Sequence, residues 1–469
     1  MTTMHSILTT LGSSFIFWAA WIIIPIIMEI LPALGSVVLL VRRRLRSAKP
    51  TEKPAIAPQI TLIIPVYNSA DSLESCIRSI AQNTYPNESM RIFAVNNNST
   101  DDSFAAFARC QREFPNLIMQ WMNAEQGKSR ALNLALFNSE GKYIVHIDSD
   151  GTLEPHAIES LVDRFEADPS INVATGVIMT DPDMVDAYPR GRRRLFRKLE
   201  FIEYAQAFLA GRNFASEINY IYTLSGAFTA FRNNAILTSW LYNTDTICED
   251  TQITFQMRYQ QHQRLHVCEN AIFLADPIES VDKLYTQRQR WQRGSLEVAS
   301  MFDGEDLSLK RGLSDVNVNT LLYDHTFAFP RMIWYIALIC LLAVGYSGAV
   351  VLKAMGAIYL LYVLCGYLYF AAVTSFLKPF AHLRRYYLRQ WCLIPVLPLF
   401  NFVVFFIRLA GIVNSIDTNS SWKTKTLTEE RSQISAVMTG DLRRAGGILQ
   451  RMRAAVNDES KDMDHAETR

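Results

Sequence analysis

Apolar positions follow two regimes along the chain. Long runs lie toward both ends, at residues 15–41, 332–352, 357–377 and 391–413, while between them short β-branched runs alternate with helical periodicities. Because about 20 apolar residues suffice to span a bilayer, each long run is a candidate crossing. The first carries a single charge, Glu29, and precedes Arg42, Arg43, Arg44 and Arg46, which places the following segment on the cytoplasmic side. A signal peptide is disfavoured: the leader has no Lys or Arg, the apolar stretch is too long, and no small-residue cleavage site follows. Lys353-Ala354-Met355-Gly356 separate the second and third runs and predict a tight hairpin. Lys378, His382, Arg384, Arg385 and Arg389 then read as cytoplasmic. Pro395, Pro398, Asn401 and Arg408 interrupt the fourth run, leaving open a crossing or a re-entrant interfacial segment. The basic bias of the tail, 415–469, favours the interfacial reading.

The middle of the chain reads as a different kind of domain. After a Pro- and Lys-rich linker at 47–58, Ile60–Val66 forms an apolar strand pattern, 72–82 a helix, 91–95 a second strand and Tyr143–Ile147 another. Strands alternating with helices predict an α/β fold with a doubly wound, mostly parallel sheet. The expected organisation is a transmembrane helix in 1–46, a linker in 47–58, a cytoplasmic domain in 59–310, a membrane region in 311–414 and a polar tail in 415–469.

Composition supports that division. The chain is 49% apolar and only 19% charged, too little charge for an ordinary soluble protein. Its 46 Lys and Arg against 45 Asp and Glu exclude a globally basic nucleic-acid binder. Seven scattered cysteines without a C-x-x-C pair indicate neither a disulfide framework nor a zinc site.

Doubly wound sheets bind ligands beyond the carboxyl ends of their strands, and polar clusters fall there: Pro65-Val66-Tyr67-Asn68, Asn96-Asn97-Asn98-Ser99-Thr100-Asp101 and Asp148-Ser149-Asp150-Gly151. Asp148 and Asp150 suit a hard divalent cation sharing diphosphate oxygens, although solvated turns often carry the same pattern. Gly127 precedes a helical stretch with Lys128 and Arg130 in its first turn. Cations there oppose the helix dipole and so point to a bound anion. Arg190, Arg192, Arg193, Arg194, Arg197 and Lys198 precede an aromatic stretch (Phe201, Tyr204, Phe208), a pattern open to head-group contact, a polyanionic product or a solvated helix start. His262 and His266 read as surface residues.

Taken together, Pro65 to Asn68, Asn97-Asn98-Ser99-Thr100-Asp101, Gly127 to Asn133, Asp148-Ser149-Asp150, Ser225-Gly226-Ala227-Phe228, Glu249-Asp250 and Gln287-Arg288-Gln289-Arg290-Trp291 resemble the inverting family 2 glycosyltransferases. The resemblance is to their membrane-integrated synthases of cellulose, hyaluronan, chitin and poly-N-acetylglucosamine. It implies a GT-A type nucleotide-diphospho-sugar transferase domain flanked by transmembrane and interfacial helices, with a donor-binding half at 59–180 and an acceptor half at 181–310. It further implies that Pro65, Tyr67, Asn97, Lys128 and Asp148 bind the donor, that Asp150 with Asp148 holds Mg²⁺ or Mn²⁺, and that Asp250, beside Glu249, is the catalytic base. Ser225, Gly226, Ala227, Gln287, Arg290 and Trp291 would serve the acceptor and diphosphate, the last three in the pattern of processive members. Two departures stand out. Asn96 and Asn97 occupy positions the family usually gives to acids, which weakens a hydrogen bond to a uracil N3–H, and Cys248 replaces a threonine before Glu249-Asp250, where it reads as a small buried residue.

The expectation is therefore a multi-pass enzyme of the cell membrane with a cytoplasmic catalytic domain. It would move sugar from a nucleotide-diphospho-sugar, a UDP-sugar by the resemblance, to a growing cell-surface or extracellular polysaccharide. Its partners would be that donor, the acceptor, membrane lipids and an accessory export subunit, with no nucleic acid. The rivals are a single-sugar transferase acting on a lipid-linked acceptor and a non-catalytic nucleotide-sugar-binding subunit.

Overall fold

A computed structural model describes residues 30–45, 56–302, 337–338, 340–343, 345 and 347–417. The first half of the N-terminal run, most of the linker, the start of the 332–352 run and the tail from 418 lie outside the described residues.

The frame is an eight-stranded sheet in the order β3-β2-β1-β4-β7-β6-β8-β5. Its strands are β1 (Ile60–Val66), β2 (Met90–Asn96), β3 (Ile118–Asn123), β4 (Tyr143–Ile147), β5 (Gly151–Leu153), β6 (Val173–Thr180), β7 (Phe228–Arg232) and β8 (Leu265–Ala275). β3, β2, β1 and β4 run parallel, with Ile60 opposite both Met90 and Tyr143. Every residue of β1 and β4 is buried. Covered on both faces, these strands lack the polar alternation of a half-exposed sheet, which is why they read as unbroken apolar runs. β7 then joins antiparallel to both β4 and β6, so the sheet is mixed beyond the parallel half. β6 and β8 are parallel, and short β5, directly after Asp150, pairs antiparallel with the end of β8. Gly151 is required there, because a Cβ would lie 2.4 Å from the Phe273 ring and 2.5 Å from the Leu274 carbonyl.

Seven helices matter for the site: α1 (Leu31–Leu45), α2 (Lys128–Phe137), α3 (Arg192–Tyr204), α4 (Glu249–Phe255), α5 (Val281–Met301), α6 (Gly348–Phe376) and α7 (Leu397–Asp417). α3 continues through a π-helical turn, Ala205–Gly211. That turn meets the apolar helices directly: Ser36 Oγ of α1 donates to the Ala210 carbonyl at 3.4 Å, and Gln206 Nε2 donates to the Gly366 carbonyl of α6 at 3.2 Å. Phe201 packs edge-on against Tyr386 with centroids 4.9 Å apart, and Phe196 against Phe400 of α7 at 5.5 Å.

Among the described residues two helical stretches are long and apolar enough to cross a membrane, Val351–Phe376 and Trp391–Ala410, with mean hydropathies of 1.8 and 2.2. The hairpin expected at Lys353-Ala354-Met355-Gly356 is absent, because α6 runs straight through those residues. Lys, Ala and Met are strong helix formers and one glycine costs only about 1 kcal/mol. The chain turns earlier, at Gly345 (φ +92°) and Ser347, where a left-handed conformation is available to glycine. The prolines of the last run are absorbed at its start: Pro395 lies in a 3₁₀ turn, Trp391–Val396, and Pro398 in the first turn of α7. Arg408 is 2% exposed, so the one charge of α7 within the apolar run faces protein.

Two residues of the basic cluster have local work. Arg194 pairs with Asp186, while buried Arg197 lies over the Tyr188 ring at 3.5 Å and donates to the carbonyls of Arg193 and Glu279. Arg190, Arg192 and Arg193 are exposed. His262 is exposed as expected, whereas His266 in β8 is half-buried and its pKa falls to about 4, through burial first and then Arg164 and Arg264.

Candidate active site

The polar clusters at the ends of β1, β2 and β4 meet as one surface. The Asn97 N–H donates to the Val66 carbonyl at 2.8 Å, and the Ala70 N–H to Asp101 Oδ2 at 2.8 Å. Ser69 and Ser149 share a 2.7 Å hydroxyl contact that ties the first cluster to the third. Asn68 and Asn98 adopt left-handed backbones, φ +49° and +62°. Asparagine tolerates that region better than most residues, so part of the asparagine content is conformational. Asn96 is engaged on both ends of its amide, with Asn123 and with the Ser99 N–H. Asn97 is buried, and its Oδ1 accepts from the Gly127 N–H at 2.5 Å. The oxygen expected to meet a nucleobase is thus used to fix the entry into α2, where Gly127 has φ +137°. Tyr67 stands 49% exposed at the mouth, and Pro65 is buried within β1 opposite Val95.

Lys128 is the hinge of the electrostatics. Its Nζ lies 2.7 Å from Asp148 Oδ1 and 3.0 Å from Glu249 Oε1, so it joins the donor half of the sheet to α4. Burial opposes its charge, but Asp148, Glu249 and Asp250 outweigh that and hold the ammonium well above its ordinary range. Asp148 is pushed up to about 6, by burial first; Lys128 draws it back and Asp150 adds repulsion. Asp150 itself is exposed at the rim.

Asp250 sits in the first turn of α4. Its Oδ1 accepts from the Thr251 N–H at 2.7 Å, and the Gly226 backbone lies so close that an added Cβ would be 3.1 Å from Asp250 Oδ2. Its pKa rises to about 6, through burial first and the Glu249 charge second, with Lys128, the Thr251 N–H and Arg212 pulling the other way. Ser225 and Ala227 are fixed by the framework: Ser225 N donates to Thr175 Oγ1 at 2.9 Å, and the Ala227 carbonyl accepts from the Asp148 N–H at 3.0 Å. Arg212, which nothing in the sequence singled out, donates to Ser225 Oγ and lies over the Phe208 ring at 4.4 Å.

α5 packs against α4 through glycine: a Cβ at Gly294 would collide with Cys248 Sγ, the buried residue expected there. Gln287 Oε1 accepts from the Tyr204 hydroxyl at 3.4 Å. Trp291 is half-buried; the Arg288 guanidinium lies over its ring at 4.5 Å and Phe208 approaches edge-on at 6.5 Å. Arg288, 1% exposed, pairs with Glu203 at 2.6 Å. The Arg290 carbonyl faces Cys248 Sγ at 3.8 Å.

The mixed α/β sheet, with a carboxylate cluster beyond its parallel strand ends and an acid on a facing helix, has the GT-A architecture. Residues 61–236 match the Glycosyl transferase family 2 model. Poly-beta-1,6-N-acetyl-D-glucosamine synthase of Staphylococcus aureus (strain MSSA476) is 24% identical over 281 residues, 58% of this chain and 64% of that protein. The Staphylococcus epidermidis protein of the same name is 23% identical over 239 residues, covering 51% and 55%. The match thus spans less than two thirds of these relatives' own length. Among solved structures, the mannosyltransferase PcManGT from Pyrobaculum calidifontis, in complex with GDP-Man and Mn²⁺, shares the fold. Its TM-score is 0.54 at 18% identity, over 85% of this chain and 99% of that one.

Proposed function

We propose that the protein is an inverting glycosyltransferase that moves an N-acetylhexosamine from a UDP-sugar to a growing polysaccharide, at a membrane, with Asp250 as the base. The observation that carries this reading is Asp250: a carboxylate with a pKa of about 6, placed beside the Gly226 backbone and facing the cluster at the parallel strand ends. An acceptor hydroxyl is a poor nucleophile, and a carboxylate with a pKa near the working pH takes its proton most effectively. A single displacement at the anomeric carbon then inverts the configuration, so no second carboxylate nucleophile is needed.

Among the described residues no three His, Cys, Asp or Glu side chains converge as a ready-made metal site. Asp148 and Asp150 nevertheless fit Mg²⁺ or Mn²⁺, which take one or two carboxylates and complete their shell with water and phosphate oxygens. Bound there, the ion would offset charge on the departing nucleoside diphosphate. Lys128, between Asp148 and Glu249, carries the fixed positive charge next to both groups.

The relatives' printed names support the choice of N-acetylhexosamine and of a polymer as product. The membrane setting is supported by the two apolar helices, of which only 28% and 39% is buried against protein. Purified protein in detergent should release UDP from UDP-N-acetylglucosamine when Mg²⁺ or Mn²⁺ is present and yield a ladder of oligomers. A product carrying one added sugar would overturn the polymer assignment, and the absence of release from any nucleotide sugar would overturn the enzyme assignment.

A further inference from the structure

Behind Asp250 the fold leaves a small cavity with room for about one water molecule, walled by apolar groups and by Gly226, Glu249, Asp250, His146 and Tyr242. His146 comes from the middle of β4, where alternation turns it off the strand opposite Thr229 and Ile63. It is 3% exposed, and its Nε2 finds no hydrogen-bond partner among the described residues. Its other ring nitrogen, Nδ1, meets the Tyr242 hydroxyl at 2.6 Å. His146 lines this mostly apolar cavity together with Glu249 and Asp250, and a buried polar atom without a partner calls for one.

Tyr242 is brought to that point by a backbone that would not adopt its path unaided. Leu241 has φ +58°, a left-handed conformation that a leucine rarely takes. Four side-chain contacts hold it. Gln256 Nε2 donates to the Leu241 carbonyl at 3.0 Å while its Oε1 accepts from the Trp240 N–H at 2.7 Å. Asn133 grips both backbone groups of Tyr242, at 2.8 and 3.0 Å. Asn133 belongs to the helix that begins with Lys128, and Gln256 directly follows the helix that bears Asp250. The loop thus ties both halves of the site to the floor beneath the base. Strain over-determined by its surroundings is a mark of functional positions.

We propose that Tyr242 and His146 are positioning residues for the base: through a single water in this cavity, His146 Nε2 orients the Glu249–Asp250 carboxylates, and Tyr242 fixes the imidazole. No covalent step is involved. The phenol keeps its proton, held up by burial first and then by Glu249 and Asp250, so it is a lasting hydrogen-bond partner for the ring. Either tautomer of a neutral imidazole gives Nε2 one bond to a water.

This rests on Asp250 as the base, and the test separates the two claims. UDP release from UDP-N-acetylglucosamine with Mg²⁺ is measured for Tyr242→Phe, His146→Asn and His146→Gln in the full chain. Asparagine can imitate only the Nδ1 position, and glutamine the Nε2 position. The expected result is a roughly tenfold lower kcat for Tyr242→Phe and His146→Asn with donor KM within twofold, and recovery of most of that loss in His146→Gln. Unchanged kcat in Tyr242→Phe overturns the proposal. So does a loss that tracks the thermal midpoint across all three variants, or a His146→Gln no better than His146→Asn. Wild-type turnover in Asp250→Asn would instead remove the base assignment itself.

Discussion

Replacing Lys128 with methionine isolates the electrostatic link between the two halves of the site. In the native chain one ammonium lies 2.7 Å from Asp148 and 3.0 Å from Glu249, with side-chain exposures of 18%, 27% and 9%. Removing one partner of a buried ion pair costs about 3–5 kcal/mol, because the remaining charge is left uncompensated. Partial exposure lets water recover some of this, so we expect a loss of about 2–3 kcal/mol. For a domain of this size that corresponds to a fall in thermal midpoint of about 5–10 °C. The pH dependence is more diagnostic than the size. Lys128 stabilises the ionised carboxylates, so its contribution is present above their folded pKa and is lost as they protonate. Asp148 and Asp250 are both held near 6. Without the ammonium these carboxylates protonate at a higher pH than in the native chain, so the gap between native and Lys128→Met midpoints should be largest at alkaline pH and close as pH falls toward about 6. Thermal unfolding of the detergent-solubilised protein in EDTA, followed by intrinsic fluorescence, reads this directly. A midpoint unchanged at pH 8, or a gap independent of pH, would refute the bridging role.

Other outcomes follow from the same geometry. Turnover should need Asp250 ionised, so kcat should fall about tenfold per unit below pH 6 and be flat just above it; a pH–rate profile checks this. Gly226→Ala places a Cβ 3.1 Å from Asp250 Oδ2 and should lower kcat by about 10- to 100-fold with little change in thermal midpoint. Arg288→Met strands Glu203 and uncovers Trp291, which should cost about 3 kcal/mol in denaturant unfolding; Arg288→Lys should restore little, since a lysine lacks the flat guanidinium that lies over the indole.

Three of the eight strands, β1, β2 and β4, were legible because their signals are local. The parallel strands are buried on both faces, so β1 and β4 appear as apolar runs that end where the backbone leaves the sheet, at Asn68 and Asp148. The glycine before Lys128 and the acids of Asp148, Asp150 and Asp250 were legible for a related reason: each sits at an element end, where the chemistry is not masked by periodicity. What stayed hidden depends on contacts across the sheet. The partners of Lys128 lie 20 and 121 positions away in sequence, and only folding shows them to be carboxylates of opposite halves. Arg212, His146 and Tyr242 carry no motif; a lone histidine in an apolar strand reads as core until the fold shows it lining a cavity with one ring nitrogen unpartnered among the described residues. No hairpin forms at Lys353 to Gly356, because good helix formers continue one helix from Gly348 to Phe376 through the break between the two apolar runs.

The central claim is that Asp250 takes the acceptor's proton, and substituting Asp250→Asn tests it most directly. The amide keeps the shape of the side chain and removes its basicity. UDP release from UDP-N-acetylglucosamine in the presence of acceptor should drop by about 10³-fold or more, while the donor, titrated calorimetrically, binds with a Kd within threefold of the native value. Turnover within tenfold of native would contradict the account.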